Sequence, residues 1–246
     1  MRITFLGTNG WFDSPTGNTI STLIQTDDRY VVLDAGNGIW KLDRLMHRPL
    51  PVDLYLSHFH LDHICGLHTL VKFLMPWGLR IIGPEGTRDI LDRIIARPFT
   101  VPLAELPYEV EVLEIKEGEQ DIGYPIEMRP LVHTSPCMGY RLILDGKVVT
   151  YCTDTGLCDN IKKLGKGADL LILECSFRRG GSSKTWPHLN PEEAIALGKS
   201  TGAKCLALTH FDAFQYPTLE ARKEVDAFAS EFPGLVVARD DLVIEL

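Results

Sequence analysis

The sequence predicts an α/β (α+β) fold in which two β-sheets pack together with helices on the outside. Three observations lead there. Apolar or β-branched runs of strand length cluster in both halves of the chain, helical segments separate them, and no repeat, low-complexity tract or long linker divides the halves. Residues 1–246 are therefore expected to form a single domain. With 45% hydrophobic and 24% charged residues, the chain can supply a sizeable core without a staple.

The elements follow in order. Arg2 to Leu6, Thr19 to Gln25 and Tyr30 to Asp34 read as strands separated by Gly, Pro, Asn and Asp. Val52 to Leu56 is another strand, ending at a histidine-rich segment. A helix is expected from Gly66 to Leu74, a strand at Arg80 to Ile82 and a helix from Thr87 to Ala96. In the second half, strands are expected at Val110 to Ile115, Ile126 to Val132, Gly139 to Leu144, Val148 to Cys152 and Leu170 to Leu173. Asn190-Pro191 offers an N-cap and a first-turn proline for a helix from Glu192 to Ser200. Strand Cys205 to Thr209, a helix near Leu219 to Ser230 and a last strand, Val236 to Ala238, complete the reading.

Composition narrows the function classes. No apolar run is long enough for a membrane span, and Met1 to Gly7 reads as a strand entering a turn, not as a signal peptide. A cytoplasmic location is the default expectation. The six cysteines are scattered without a C-x-x-C pair, so they are expected to be reduced thiols, with Cys65, Cys137 and Cys152 as small buried side chains before metal ligands. The net charge of −8 argues against a broad surface for long nucleic acids. It leaves a small anionic substrate open, because bound metal ions can reverse the local field.

The chemistry concentrates in Ser57-His58-Phe59-His60-Leu61-Asp62-His63. Side chains alternate along a strand, so His58 and His60 can point to one side as Val52 to Leu56 ends. Asp62 and His63 follow where the chain turns into a helix and can reach a second position nearby. Imidazole nitrogen and carboxylate oxygen suit zinc and related divalent ions. Three more residues repeat one design, a polar ligand at the end of an apolar run: His133 after Pro130-Leu131-Val132, Asp154 after Tyr151-Cys152-Thr153, and His210 after Leu206 to Thr209.

These residues carry a family resemblance over nearly the whole chain. From Thr4-Phe5-Leu6-Gly7-Thr8 through Leu33-Asp34-Ala35-Gly36 and the histidine motif to Leu208-Thr209-His210-Phe211, it resembles the metallo-β-lactamase fold superfamily. Within that superfamily it is most similar to the ribonuclease Z branch of phosphodiesterases. The resemblance implies a four-layer αββα sandwich, two divalent ions, zinc by default with manganese or iron possible, and a homodimer as in the related branch. It assigns His58, His60 and His133 to one ion and Asp62, His63 and His210 to the other, with Asp154 bridging and Asp34 as buried support. Asp62 also counts among the catalytic residues. Ala168 to Phe177 is similar to the segment carrying a catalytic-site glutamate, here Glu174, and His188 to an additional active-site histidine. Arg178-Arg179-Gly180-Gly181 reads either as a phosphate-facing loop or as a solvated basic turn. One departure stands out. Between Glu105 and Glu127 there is room only for strands and a short turn, so the Gly- and Pro-rich arm that grips transfer RNA in ribonuclease Z is missing.

The expected activity is metal-dependent hydrolysis of a small phosphodiester or an RNA end. A metal-bridging hydroxide attacks phosphorus, and His188, oriented by Glu174, assists the leaving oxygen. Two other readings stay open: a thioester hydrolase of the glyoxalase II type, for whose helical substrate domain too few residues follow His210, and a catalytically silent metal-binding sensor.

Overall fold

The computed structural model describes residues 1–246. Two seven-stranded sheets face one another. The first contains β1 (Arg2–Gly7), β2 (Ser21–Gln25), β3 (Tyr30–Leu33), β4 (Val52–Tyr55), β5 (Leu79–Gly83) and β6 (Val110–Glu114). The second contains β7 (Gly118–Asp121), β8 (Pro125–Pro130), β9 (Met138–Leu144), β10 (Lys147–Cys152), β11 (Leu170–Glu174), β12 (Cys205–Thr209) and β13 (Leu235–Val237). The last strand, β14 (Val243–Glu245), returns to the first sheet beside β1.

Pleating explains why the strands read as continuous apolar runs. In β3, Val31 and Leu33 point between the sheets, where they join Phe5, Tyr55, Tyr140, Tyr151 and Ile172. Tyr30 and Val32 point outward onto Ile39, Leu42, Leu67 and Leu91. In β11, Ile172 points inward, while Leu171 and Leu173 pack on Ile161, Leu164, Ile195 and Val225 of the outer helices. Strands buried on both faces need apolar residues at every position. Three cores between four layers make the αββα sandwich expected from the resemblance.

The topology aims one end of each sheet at a common crevice. β3, β4, β5 and β6 are parallel neighbours, as are β10, β11, β12 and β13. Ligands of α/β proteins bind beyond the carboxyl ends of such strands. The segments following β3, β4, β10, β11 and β12 carry Asp34, the histidine motif, Asp154, Ser176 and His210.

Some boundaries differ from the sequence reading. β8 stops at Pro130, so His133 lies in a loop and not at a strand end. The Leu131 N–H instead donates to the Cys137 carbonyl at 2.8 Å, closing that loop. The helix expected from Gly66 is a 3₁₀ segment over Cys65–Lys72, and the one from Leu219 is α-helical only to Asp226. Helix Asp159–Gly165, the 3₁₀ turn Asn37–Arg44 and the strand Gly118–Asp121 were not expected, being brief and rich in charged or polar residues, nor was Val243–Glu245, only three residues long. The helix after Asn190 spans Pro191–Thr201. Asn190 Oδ1 accepts the Glu193 N–H, and Glu193 Oε2 accepts the Asn190 N–H, a full capping box. No helix is long and apolar enough to cross a membrane.

Candidate metal centre

The strand ends are bent to serve the crevice. Asp34, Asp154 and His210 have φ of 56°, 50° and 54°. Left-handed backbone costs a non-glycine residue roughly 1–3 kcal/mol and is retained at sites where the surroundings over-determine it. Here the bends at Asp154 and His210 turn their side chains into the crevice, and the one at Asp34 turns its carboxylate onto His63 behind it.

Two donor clusters result, and a third group, Asp154, His188 and His210, overlaps them. Asp62 Oδ2, His63 Nε2, His210 Nε2 and Asp154 Oδ1 form the first. His63 and His210 are 3.1 Å apart, each lies 3.2 or 2.8 Å from Asp154, and Asp62 stands 3.3 Å from His210 and 3.7 Å from His63. The second joins His58, His60, His133 and Asp154 Oδ2, with ligand atoms within 4.8 Å of one another. In it, His133 Nε2 lies 3.2 Å from His60 Nδ1, and Asp154 Oδ2 lies 3.5 Å from His58 Nε2 and 3.6 Å from His133 Nε2. A tetrahedral ion with ligand bonds of about 2.0–2.1 Å separates its ligands by about 3.3–3.4 Å. The observed spacings fit that size, and Asp154 offers one oxygen to each cluster.

The free valences fit as well. His58 Nε2 is fully buried and has no hydrogen-bond partner, although it faces Asp154. An unpartnered buried polar atom is costly unless something else satisfies it. The other ring nitrogens are committed elsewhere. His63 Nδ1 donates to Asp34 Oδ2 at 2.7 Å. Asp34 is completely buried and also accepts from the Ser57 N–H, the Ser57 hydroxyl and the Tyr151 hydroxyl. His210 Nδ1 meets Ser176 Oγ at 3.0 Å, and that hydroxyl lies 2.7 Å from Glu174 Oε2. His60 Nε2 meets Ser135 Oγ at 3.2 Å. Such partners fix the tautomer and leave the opposite nitrogen for a metal. His133 Nδ1 is the exception, buried without a partner.

The electrostatics favour cations. Burial disfavours charge on His63, but the carboxylates of Asp154, Asp34 and Asp62 outweigh it and push the imidazole well above its usual range. Burial likewise opposes charge on His210, which Asp154 and Asp62 nevertheless push up to about 10. Asp154 is held well below the carboxylate range by His210 and His63 against burial, and Asp62 is lowered against burial by His63 and His210. His58, buried and beside His63, is pushed down to about 2. No lysine or arginine lines the cavity over these groups. The carboxylates of Asp62 and Asp154, with imidazoles and no lysine or arginine around them, form a pocket matched to divalent ions.

His188 stands at the cavity edge. Its Nδ1 lies 2.9 Å from Glu174 Oε1, and its ring stacks on His210 with centroids 5.9 Å apart. Burial opposes charge on His188, and the Glu174 carboxylate outweighs it, raising the pKa. Glu174 itself is wholly buried. It also accepts the Leu189 N–H, the Ser176 hydroxyl and the Thr155 N–H, so it orients other groups and does not reach a ligand.

All nine sequence-assigned site residues thus converge. The basic loop does not. Arg178 is gripped bidentately by Glu224, and Arg179 pairs with Glu192 and lies over the Phe228 ring. Of its two readings, the phosphate-facing one fails, because both guanidiniums are spent on helices away from the cavity. Cys137 is a buried thiol whose pKa is raised by burial, 3.8 Å from His58 Nδ1, the nitrogen turned away from the cluster. All six cysteines are free. Sequence reading missed Ser176, Ser135, Trp11, Phe177 and Trp186. Only Ser176 had a signal, lying two residues beyond Glu174 at a strand end.

Comparisons with known proteins agree with this architecture. The sequence profile of the Beta-lactamase superfamily domain matches residues 29–211. Ribonuclease Z of Methanosarcina acetivorans is 25% identical, covering 100% of this chain and 98% of that protein. Their alignment runs over 314 positions against a chain of 246 residues, so that relative carries insertions absent here. The metallo-β-lactamase fold protein YhfI of Bacillus subtilis superposes with a TM-score of 0.79 at 25% identity, covering 100% of this chain and 99% of its own. The short form of human tRNase Z superposes with a TM-score of 0.74 at 24% identity, with 100% and 99% covered. With its two facing sheets, paired donor clusters and a family profile matched over most of its length, the chain belongs to the beta-lactamase superfamily.

Proposed function

We propose that residues 1–246 form a single metal-dependent hydrolase domain that cleaves a small phosphodiester or an RNA end, with two divalent ions, zinc by default, held by His58, His60, His133, Asp154, Asp62, His63 and His210. The observation that carries this reading is the division of Asp154, one oxygen toward each donor cluster. Bound there, the ions would supply Lewis-acid polarisation of a phosphoryl oxygen and a water ionised near neutral pH.

The chain's own residues do the rest. Asp34 and Ser176 hold His63 and His210 in the tautomer that presents Nε2. Glu174 fixes Nδ1 of His188, leaving the other ring nitrogen to give a proton to the departing ester oxygen. The ribonuclease Z relative supports phosphodiesters over thioesters. The short turns around β7, where a transfer-RNA arm would emerge, support a small substrate.

Turnover of bis-p-nitrophenyl phosphate, with and without chelator and beside a thioester panel, tests this. Chelator-sensitive phosphodiester cleavage is expected. Thioester cleavage alone would replace the reading with the glyoxalase II type, and no turnover of either would leave a silent metal binder.

A further inference from the structure

We infer that the cavity beside the metal centre holds a nucleobase between Trp11 and Trp186, which makes the substrate a nucleotide phosphodiester. The phosphate half of this inference rests on the hydrolase reading above; the base half rests on the cavity walls.

The cavity measures about 490 Å³, within the usual range for a small-molecule site. Its hydrophobic lining is aromatic throughout, consisting of Trp11, Phe177 and Trp186, with no aliphatic side chain. An acyl chain would call for Leu, Ile or Val, whereas flat rings suit a flat partner. Both indoles are left largely in water, 66% exposed for Trp11 and 56% for Trp186. Large apolar groups so exposed beside a polar cluster mark a binding surface.

The two rings reach the cavity from opposite halves of the chain. Trp11 is anchored at the metal centre, since its backbone N–H donates to Asp62 Oδ2 at 2.8 Å, and Phe12 packs edge-on against its ring at 5.2 Å. Trp186 ends a loop pinned by its N–H on Ser183 Oγ at 3.1 Å. Phe177 lines the same cavity and meets the His188 ring edge-on.

Charge completes the case. With no lysine or arginine in the wall, an anion is held at the metal centre with His188 beside it, so anion and flat ring bind as neighbours. A nucleotide joins those two chemistries in one molecule. Stacking a base on an aromatic side chain contributes about 1–3 kcal/mol, roughly a 5- to 150-fold gain in affinity.

Calorimetric titration of the metal-loaded protein with adenosine 5′-monophosphate and with ribose 5-phosphate separates base from phosphate. The nucleotide should bind about 5- to 150-fold more tightly. Trp11→Ala and Trp186→Ala should each shrink that ratio toward one, and Trp→Phe at either position should restore most of it. Equal affinity for the two ligands in the unaltered protein, or variants that weaken both equally, would overturn the proposal. In parallel, thymidine 5′-p-nitrophenyl phosphate should be cleaved with a higher kcat/KM than methyl p-nitrophenyl phosphate, and the same variants should narrow the gap. Tryptophan-dependent nucleotide binding without cleavage of either diester would support the base site and reject the phosphodiesterase reading.

Discussion

Asp34 Oδ2 and His63 Nδ1 are 2.7 Å apart and both side chains are completely buried. Asp34 reaches no cavity, yet its second contacts include Ser57 and Tyr151, so one carboxylate joins the histidine motif to the opposite sheet. Asp34→Asn replaces an acceptor of several donors by a group that must present its own N–H. Loss of such an outer partner typically costs 10- to 100-fold in metal affinity. A competitive chelator titration should register that loss, and Tm should fall, because buried donors lose their acceptor. Unchanged metal affinity would remove Asp34 from its supporting role.

Gly10 is packed against His210. A Cβ there would stand 2.5 Å from His210 Cε1, too close for any rotamer to relieve without moving the ring. Gly10→Ala should therefore lower phosphodiester turnover at least tenfold while far-UV circular dichroism stays native. Metal analysis should find occupancy falling first at the cluster containing His210.

His188 touches the cavity but is not needed to complete either four-residue donor cluster. His188→Ala should keep its metal content and lose about 10²–10⁴-fold in kcat, the range for a positioned acid–base group. Glu174→Gln should lose less, since the imidazole remains but its orientation loosens. Stoichiometric metal loss in His188→Ala would instead make His188 a ligand.

Removing the ions leaves the carboxylates of Asp62 and Asp154 close together with only the imidazoles of His63 and His210 between them. Chelation should abolish turnover and lower Tm by several degrees, because a ligand bound only to the native state stabilises it by mass action. Adding back zinc or manganese should restore both. Full activity after exhaustive chelation would contradict the metal reading.

Arg179 lies on the loop whose basic residues suggested phosphate binding. Its guanidinium is paired with Glu192 and lies away from the cavity. Arg179→Ala should change kcat/KM on a phosphodiester by less than about twofold, as expected for a largely exposed ion pair. A tenfold rise in KM would return the loop to the site.

The sequence by itself determined the sandwich and singled out the candidate ligand residues. Strands buried on both faces must be apolar along their length, so His58, Asp154 and His210 stand out against the runs that precede them. Asn190 and Pro191 announced a capped helix for a similar reason, since capping is a matter of neighbouring residues. Tertiary structure alone decided the division of the Asp154 oxygens, the tautomers set by Asp34 and Ser176, and the turning of Arg178 and Arg179 onto Glu224 and Glu192. It also decided that Trp11 and Trp186 line one cavity. Each of these depends on side chains far apart in sequence that face one another only after the two sheets pack, and no local period or spacing encodes which nitrogen, oxygen or ring will be left to face the cavity.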